Sequence, residues 1–400
     1  MAGAVVVVGG GVGGVSTVAA LRAGGFDGDL TLVDAGEFPY DRPPLSKEYL
    51  AGNSEIKDIA LQPPQWYDEH DIRLITKSCV TALRTGSAAV ELADGSTLFA
   101  DWVVLSTGGN AARPPIPGAD TPRVHALRTA DDADRLRAAL IPGARVLIVG
   151  AGLIGAEVAS TARSLGCEVV LTDPLERPLS TALGDDVAAW LHRLHGEHGV
   201  ITLHGAVASF RDTGRGIDAD LSRDESRHHF DAAVLAVGMA PETALAQAAG
   251  LKVSRGIVVD HSQRTSNPAV LAVGDAAVGP SDHRSEHWEA AQIDGARAAA
   301  AILGSDPPAV TAPWFWTDRY GVHVEVVGAL GDADELVSRG VFGKVPFSVF
   351  GVDDGRVVGA VSVGDSTATR AARRMIDRGF QPNLAELGDP TLDLRKLVRR

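Results

Sequence analysis

Two stretches of the sequence decide the fold: AVVVVGGGVGGVSTVAAL at residues 4–21 and ARVLIVGAGLIGAEVAST at residues 144–161. Each is a short β-branched run, followed by the spacing G-x-G-x-x-G and then by small residues. The pattern predicts a buried strand, a tight turn and a helix. A single copy is also typical of any glycine-rich connection between a strand and a helix. Two copies in the same context indicate a repeated nucleotide-binding unit.

Each copy is followed by a second strand that ends in an acid, namely LTLVD at residues 30–34 and CEVVLTD at residues 167–173. In such units the glycines let the backbone approach a pyrophosphate at the helix N-terminus. The acid, about 20 residues further on, accepts hydrogen bonds from a ribose. The residues predicted for these roles are Gly9, Gly11, Gly14 and Asp34 in the first unit, and Gly150, Gly152, Gly155 and Asp173 in the second. Two sites in one chain predict two different dinucleotides.

The order of the remaining motifs predicts the domains. Strand-like runs occur at 102–109, 232–242 and 269–277, and the proline-rich segment ARPPIPG at 112–118 is typical of a crossover linker. We expect a first domain of residues 1–112 and 245–310, interrupted by a second of residues 113–244. A third domain, residues 311–400, has alternating apolar runs typical of an antiparallel sheet, and residues 369–380 predict a helix.

Composition excludes several classes of protein. Of the 400 residues 45% are apolar and 22% charged, which is typical of a folded globular chain, and the net charge of −14 argues against a general nucleic-acid binder. Glycines interrupt the uncharged first 21 residues, which argues against a membrane helix, and a signal peptide is not expected because the stretch has no basic n-region. The two cysteines, Cys79 and Cys167, form no C-x-x-C pair, and we expect buried structural thiols in a reducing, cytoplasmic compartment. His192, His195 and His198 predict a solvated helix face rather than a metal site.

Further motifs carry a resemblance to a known family. PYDRPPLSKEYL at 39–50, AVGDAA at 272–277 and PWFWTDRYG at 313–321 resemble the FAD-dependent NADH:ferredoxin reductases of the putidaredoxin reductase and Rieske-dioxygenase reductase type. The similarity covers essentially the whole chain. It implies an α/β fold with two Rossmann-like dinucleotide-binding domains, for FAD and NAD, and a C-terminal α+β domain. It also implies a flavoprotein that passes electrons from NADH through FAD to an iron–sulfur ferredoxin serving an oxygenase.

The resemblance implies roles for further residues. FAD would lie along the first domain, with its pyrophosphate on the first glycine turn and its adenosine ribose on Asp34. Around the cofactor would stand Arg42, Lys47, Arg128, Gly274, Asp275, Trp288 and Trp316. A solvated loop is the alternative for Arg42 and Lys47, and a turn-capping role is the alternative for Asp275.

The resemblance assigns NADH to the second domain. Glu157 would lie near the nicotinamide carboxamide and close to Lys47, and these two residues are the candidates for catalysis. A carboxylate that stabilises the first turn of its helix is the alternative for Glu157. Gly238 would line the nicotinamide half, and Asp173 predicts NADH rather than NADPH because it would repel a 2′-phosphate. Arg319 stands where the family usually has a glutamine.

Other functions stay open at this level. The segment after Asp34 holds no cysteine, which argues against a disulfide reductase or a cysteine-based peroxidase. A rubredoxin reductase, an NADH oxidase and a redox-sensing binding protein remain as alternatives. For a ferredoxin partner we expect docking near Arg297 and the basic segment 366–400, although simple solvation of those arginines is the alternative.

Overall fold

The structure, a computed structural model, describes residues 3–222, 227–280, 284, 286–331 and 333–398. The chain forms two compact units, each built from three segments. Unit 1 comprises Met1–Arg42, Glu55–Asn110 and Met239–Ala309, and unit 2 comprises Pro43–Ser54, Ala111–Gly238 and Val310–Arg400. The predicted division into three domains remains a prediction.

The strands of the described chain are short. They are β1 (Ala4–Val8), β2 (Asp29–Val33), β3 (Ile72–Ile75), β4 (Val80–Arg84), β5 (Ala89–Leu92), β6 (Thr97–Phe99), β7 (Trp102–Leu105), β8 (Gly109–Ala111), β9 (Val124–Ala126), β10 (Arg145–Val149), β11 (Glu168–Asp173), β12 (Ile201–His204), β13 (Val207–Asp212), β14 (Ile217–Leu221), β15 (Arg227–Phe230), β16 (Ala232–Leu235), β17 (Met239–Pro241), β18 (Ile257–Val258), β19 (Val270–Ala272), β20 (Ala277–Val278), β21 (Trp314–Arg319), β22 (Val322–Gly328), β23 (Glu335–Arg339), β24 (Phe347–Asp353) and β25 (Arg356–Val363).

Helices connect and cover these strands. They are α1 (Val12–Ala23), α2 (Pro64–Glu69), α3 (Ala130–Ala139), α4 (Leu153–Ser164), α5 (Ser180–Leu183), α6 (Asp185–Glu197), α7 (Ala244–Ala248), α8 (Trp288–Leu303), α9 (Ser366–Arg378), α10 (Leu384–Gly388) and α11 (Leu394–Leu397), with 3-10 turns at Pro43–Ser46, Ile56–Ile59 and Gly274–Ala276.

Unit 1 is built on a parallel sheet of order β19-β7-β1-β2-β3. The valines of β1 explain its central place, because both faces of a parallel sheet are covered. Val5 and Val7 pack in one core with α1 and α8, whereas Val6 and Val8 pack in a second core with the antiparallel sheet β4-β5-β6. The carboxyl ends of β1, β7 and β19 therefore meet at one edge.

Unit 2 repeats this plan in the parallel sheet β12-β11-β10-β16-β9. The four apolar residues of β10, Val146–Val149, are buried like the four valines of β1. A small antiparallel sheet, β13-β14-β15, contributes Phe210, Ile217 and Phe230 to the core beneath β10.

The C-terminal part of unit 2 is an antiparallel sheet of order β21-β22-β25-β24-β23. One face of the sheet packs on α5 and α6 through a core that includes Leu191, Val326 and Phe347. The other face packs on α9, α10 and α11, where Met375 and Leu387 are buried. The predicted antiparallel sheet is confirmed.

Most predicted elements are present, with shorter bounds. The strand predicted at 4–8 is β1, and the predicted run 102–109 forms a strand only as far as Leu105. The helix predicted at 369–380 begins earlier, at Ser366, and ends at Arg378 because Gly379 caps it with a left-handed φ of +60°.

Two expectations about single side chains were wrong. Cys167 is buried as expected, but Cys79 is exposed because it precedes β4, in a sheet of which the core covers one face. His195 is fully buried rather than solvated. It lies on the face of α6 that packs against the C-terminal sheet, and its Nδ1 lies 2.6 Å from the hydroxyl oxygen of Tyr320.

Candidate functional site: two glycine turns and a buried charge cluster

The first glycine turn connects β1 to α1 in unit 1. A Cβ at Gly14 would lie 2.0 Å from the carbonyl oxygen of Gly9, so no side chain fits there. At Gly11 a Cβ would meet no described atom within 4 Å. Gly11 caps α1, whose first turn carries no acidic residue and no side-chain cap, so no described side chain of the cap satisfies the N–H groups there. This turn fits a dinucleotide pyrophosphate.

Asp34 lies directly against this turn, at the end of β2. A Cβ at Gly10 would lie 2.2 Å from its Oδ2, which shows how closely the carboxylate approaches the glycines. Its Oδ1 accepts a hydrogen bond of 3.1 Å from the backbone N–H of Gly36. The half-buried carboxylate keeps acceptor capacity for a ribose diol.

The second glycine turn, between β10 and α4 in unit 2, repeats this geometry. A Cβ at Gly155 would lie 1.9 Å from the carbonyl oxygen of Gly150, whereas one at Gly152 would meet no described atom within 4 Å. Gly152 caps α4, which likewise has no acidic residue in its first turn and no side-chain cap. The two turns therefore offer the same open helix N-terminus to an anion.

Asp173 ends β11 beside the second turn. Its Oδ2 accepts a hydrogen bond of 2.7 Å from the N–H of Ala151, and its Oδ1 accepts one of 2.8 Å from the N–H of Leu175. Asp173 thus fixes the glycine turn to the loop after β11 as well as facing the expected ribose site. Arg177, the nearby cation, is paired with Asp185 at 2.8 Å.

Gly238 and Arg128 also belong to unit 2. Gly238 follows β16 with a φ of +102°, next to β10 in the sheet, so it lies at the same edge as the second glycine turn. Arg128 precedes α3, and its backbone N–H donates to Asp132 at 3.1 Å.

The Gly274–Asp275 turn follows β19 in unit 1. The backbone N–H of Val273 donates to the carbonyl of Leu105, at the end of β7. A Cβ at Gly13 would lie 3.2 Å from the Cγ2 of Val273, so the turn adjoins the first glycine turn. Gly274 has a left-handed φ of +66°, which favours glycine. The structure thus brings the two predicted FAD motifs of unit 1 together.

Trp288 begins α8 in unit 1. Its indole N–H donates to the Oδ1 of Asp41 at 2.8 Å, and Asp41 precedes the half-buried Arg42. Asp41 had no signal in the sequence beyond its place within PYDRPPLSKEYL.

Three charged side chains of unit 2 form a cluster that is buried at Glu157 and partly exposed at Asp318. The Nζ of Lys47 lies 3.4 Å from the Oε1 of Glu157 and 2.8 Å from the Oδ2 of Asp318. The side chain of Lys47 is 15% exposed and that of Glu157 only 5%. The predicted proximity of Lys47 and Glu157 is therefore present in the structure.

Glu157 is held by further donors. The Ser46 hydroxyl donates to its Oε2 at 2.6 Å, and the Thr317 hydroxyl donates to its Oε1 at 2.8 Å. The alternative of a first-turn helix charge is wrong, because α4 begins at Leu153 and Glu157 falls in the second turn. Its contacts tie α4 to β21 and to the turn at Pro43–Ser46.

The cluster shifts the proton affinities of its members. Burial alone would lower the pKa of Lys47, but the charges and hydrogen bonds of Glu157 and Asp318 outweigh it and raise that pKa. Burial alone would raise the pKa of Asp318, but the hydrogen bonds from Lys47 and His323 lower it. Lys47 and Asp318 are therefore both held in their ionised forms at neutral pH.

Two tryptophans of β21 adjoin this cluster. The rings of Trp314 and Trp316 stack with centroids 5.0 Å apart, and the Nζ of Lys47 lies 5.5 Å from the centroid of Trp316. The cation–π contact connects the predicted aromatic residue to the charged cluster.

Arg319, which departs from the family pattern, is also part of this region. It is 3% exposed, and burial lowers its pKa to about 10. Its Nη2 lies 3.4 Å from the hydroxyl of Thr317, which donates to Glu157. A buried cation thus stands behind the Glu157 carboxylate.

The predicted docking cations differ in exposure. Arg297 is half-buried on α8, with its Nη1 3.7 Å from the Oδ1 of Asp294. In the basic segment, Arg373 donates to the Thr311 hydroxyl, and Arg395 is paired with Asp393. Arg399 and Arg400 lie outside the described residues. The exposed cations of the segment are Arg370, Arg374, Arg378, Arg395 and Lys396.

Comparisons with known proteins cover the chain from end to end. Residues 3–295 match the model for the pyridine nucleotide-disulphide oxidoreductase family, and residues 314–398 match the reductase C-terminal model. The ferredoxin–NAD(+) reductase component of the anthranilate 1,2-dioxygenase system of Burkholderia cepacia is 38% identical over 404 residues, with 98% of each chain covered.

The chain belongs to the ferredoxin reductases of this family. The corresponding subunit of the benzene 1,2-dioxygenase system of Pseudomonas putida is 37% identical, over 100% of this chain and 98% of the relative. Putidaredoxin reductase, in a crystal structure of its covalent complex with putidaredoxin, superposes with a TM-score of 0.91 at 32% identity, covering 99% and 98% of the two chains. The expected family, fold class, enzyme class and cofactors are confirmed.

Two features are absent from the described part of the ferredoxin reductase. Within the described residues no group of histidine, cysteine and carboxylate side chains could hold a metal ion. No described helix is long and apolar enough to cross a membrane.

Sequence reasoning missed several polar residues of the site. Ser46 and Thr317 reach Glu157 from segments more than a hundred residues away in the chain, and Asp318 had no signal in the sequence beyond its place within PWFWTDRYG. No periodicity or motif within each segment indicates these contacts, since they arise only from packing.

Proposed function

We propose that this ferredoxin reductase passes electrons from NADH, through FAD, to a small iron–sulfur ferredoxin that serves an oxygenase in the cytoplasm. The observation that carries the proposal is the combination of two open glycine turns in one chain with full-length similarity to ferredoxin–NAD(+) reductase components. When bound, FAD would supply a hydride acceptor for NADH and a one-electron donor for the ferredoxin. The residues described below bind and orient the two nucleotides.

FAD is assigned to unit 1. The N–H groups at Gly11 and Gly14 would bind its pyrophosphate, and Asp34 its adenosine ribose. The Gly274–Asp275 turn, which adjoins the glycine turn, would receive the ribityl hydroxyls. The donor set fits the group, since an anion meets N–H groups and hydroxyls meet carboxylates.

NADH is assigned to the second glycine turn in unit 2. A 2′-hydroxyl could donate to Asp173, whereas a 2′-phosphate would meet a carboxylate. Arg177 is already paired with Asp185 at 2.8 Å, so it is not positioned to offset that repulsion. These contacts support a preference for NADH.

The cluster of Lys47, Glu157 and Asp318 is assigned to the nicotinamide end of the NADH site. Glu157 is saturated by donors from its own chain, so its main effect would be to hold Lys47 in one position and ionised. Lys47 and Trp316 would then present a cation and an aromatic ring in fixed positions at the nicotinamide end of the site.

The ferredoxin is proposed to dock near Arg297 and the exposed cations of the segment 366–400. Complementary charge raises the rate of encounter and is screened over about 8–10 Å at physiological ionic strength. Ferredoxin reduction should therefore slow as salt rises, while reduction of FAD by NADH stays constant. Arg297→Glu should reproduce the loss at low salt, and indifference to both changes would contradict this docking site.

The proposed function is tested by steady-state turnover. Purified FAD-loaded protein is mixed with NADH and with the ferredoxin of an anthranilate or benzene dioxygenase system, and ferredoxin reduction is followed by absorbance. Ferricyanide serves as a control acceptor that needs no docking. Reduction of ferricyanide without reduction of any ferredoxin would favour another acceptor.

A further inference from the structure

A polar network lies behind the Gly274–Asp275 turn in unit 1, on the side of α8. The Oδ2 of Asp294 accepts a hydrogen bond of 3.2 Å from the backbone N–H of Gly274, and its Oδ1 accepts one of 2.9 Å from the side-chain amide of Gln263. One carboxylate of α8 therefore joins two loops that flank the end of β19. No motif in the sequence indicated this contact.

Gln263 shows that the network is tightly constrained. It is 6% exposed, and its backbone has a left-handed φ of +65°, which is uncommon and costly for a residue other than glycine. Its carbonyl oxygen accepts a hydrogen bond from the N–H of Ala272, the last residue of β19. Such strain persists where the surrounding contacts hold it, and it is concentrated at functional sites.

The helix that carries Asp294 cannot shift easily. A Cβ at the next residue, Gly295, would lie 2.7 Å from the carbonyl oxygen of Gly13 and 2.9 Å from the nitrogen of Thr17. The close crossing of α8 and α1 fixes the position of Asp294 relative to the first glycine turn. Asp294 is therefore a rigid support for the turn that carries Asp275.

We infer that Asp294, supported by Gln263, is a positioning residue that sets the geometry of the Gly274–Asp275 turn and so the affinity for FAD. The inference rests on the proposed function, because it takes this turn as part of the FAD site. Asp294 acts through the backbone of Gly274 and is not itself assigned a contact with the cofactor.

The charges around Asp294 allow the network to respond to pH. Burial raises the pKa of Asp294 to about 6, while the Gly274 N–H and Arg297 oppose the rise and Asp275 adds to it. Arg264 reaches α8 at the carbonyl of Ala301, and α1 carries a single charged residue, Arg22, which is bound to backbone carbonyls at its far end. Protonation would replace a charge-assisted hydrogen bond to Gly274 by a weaker neutral one.

The test measures FAD binding as a function of pH. Holoprotein is diluted and the released FAD is quantified by its fluorescence at intervals from about pH 8 to about pH 5. The wild-type dissociation constant should rise about 5- to 10-fold on acidification, since one charge-assisted bond is weakened. Asp294→Asn should bind FAD more weakly at pH 8 and show no such rise. Asp306→Asn, at an exposed carboxylate of the same unit, is the matched control and should follow the wild type.

A second variant covers the case in which Asp294→Asn retains no FAD. Gln263→Met removes an N–H donor that favours the ionised carboxylate, so the midpoint of the pH dependence should move upward. A pH profile identical to the wild type in both variants would overturn the inference. Failure of the proposed function would look different, as a wild-type protein that binds no FAD or that reduces no ferredoxin when loaded.

Discussion

Lys47 forms an ion pair with Glu157 at 3.4 Å, and Glu157 is one of the most buried carboxylates in the described part of the chain. Lys47 directly follows the Pro43–Ser46 turn, Glu157 lies on α4, and Asp318 joins them from β21. The pair therefore ties three segments of unit 2 together at the point where the nicotinamide is expected.

Removing the Lys47 cation should lower the stability of the folded protein. Lys47→Met leaves Glu157 buried beside only neutral donors and Arg319, so the free energy of unfolding should fall by about 2–4 kcal/mol. Lys47→Arg, which keeps the charge, should lose less. Urea unfolding at neutral pH measures the difference.

The pH dependence of this loss has a defined sign. The pKa of Lys47 is raised above its usual value of 10.5 in the folded protein. The stabilisation that the Lys47 ion pair contributes is therefore complete below pH 10.5. It disappears only as the pH rises through the higher pKa that Lys47 has in the folded protein. A wild-type advantage over Lys47→Met that changed between pH 7 and pH 9 would contradict the assignment.

The two kinds of glycine in each turn should behave differently. Gly11→Ala places its Cβ in open space, so the protein should fold but bind FAD at least about tenfold more weakly, because the methyl group occupies the pyrophosphate approach. Gly14→Ala overlaps the carbonyl of Gly9 and should impair folding itself. Thermal unfolding and FAD content distinguish the two.

Gly152→Ala supplies the matched control in unit 2. It should raise the KM for NADH and leave the FAD content unchanged. Gly11→Ala should instead lower the FAD content and leave the KM for NADH unchanged. If either variant affected both nucleotides equally, the assignment of one nucleotide to each turn would be wrong.

The preference for NADH should depend on an ion pair as well as on Asp173. Asp185→Asn releases Arg177, and combined with Asp173→Asn it should raise the ratio of kcat/KM for NADPH over NADH by about 10-fold or more, because a cation replaces a repelling carboxylate. Asp185→Asn alone should have a smaller effect. Equal use of both nucleotides by the wild type would contradict the role of Asp173.

Buried His195 should make the protein sensitive to acid. Burial lowers its pKa to about 3, with Arg319 opposing the charged form as well. Below its ordinary value of 6.5 the unfolded chain binds a proton that the folded chain does not, so stability falls as the pH decreases. His195→Gln should recover roughly 1–2 kcal/mol of unfolding free energy at pH 5 relative to pH 8.

The control for this prediction is His204→Gln, at an exposed position of the same unit. It should leave the difference between pH 5 and pH 8 as in the wild type. If His195→Gln were as sensitive to acid as the wild type, a group other than His195 would be responsible for the acid sensitivity.

The sequence predicted local features better than long-range ones. The glycine turns could be predicted because Gly9, Gly14 and their counterparts act within one strand–turn–helix segment, where close backbone approach demands glycine. Lys47 and Glu157 followed only from the family resemblance. A lysine and a glutamate are equally compatible with a loop and with a helix surface, so their residue types alone do not predict a site.

The failures have physical causes. His195 was expected on a solvated helix face because no metal-binding partner is indicated near the three histidines, but α6 packs against the C-terminal sheet, which no local pattern predicts. The support of Glu157 by Ser46 and Thr317, and of Gly274 by Asp294, depends on packing between distant segments. Such contacts could not be predicted from the sequence alone.

The central claim is tested most directly by a single-turnover experiment. The FAD-loaded protein is reduced with one equivalent of NADH and mixed in a stopped-flow instrument with an oxidised dioxygenase-system ferredoxin, while the flavin and iron–sulfur absorbances are recorded. We predict that flavin reoxidation and ferredoxin reduction occur together, with two ferredoxins reduced for each NADH. Reduced flavin that persisted beside oxidised ferredoxin and reacted only with oxygen would contradict the account.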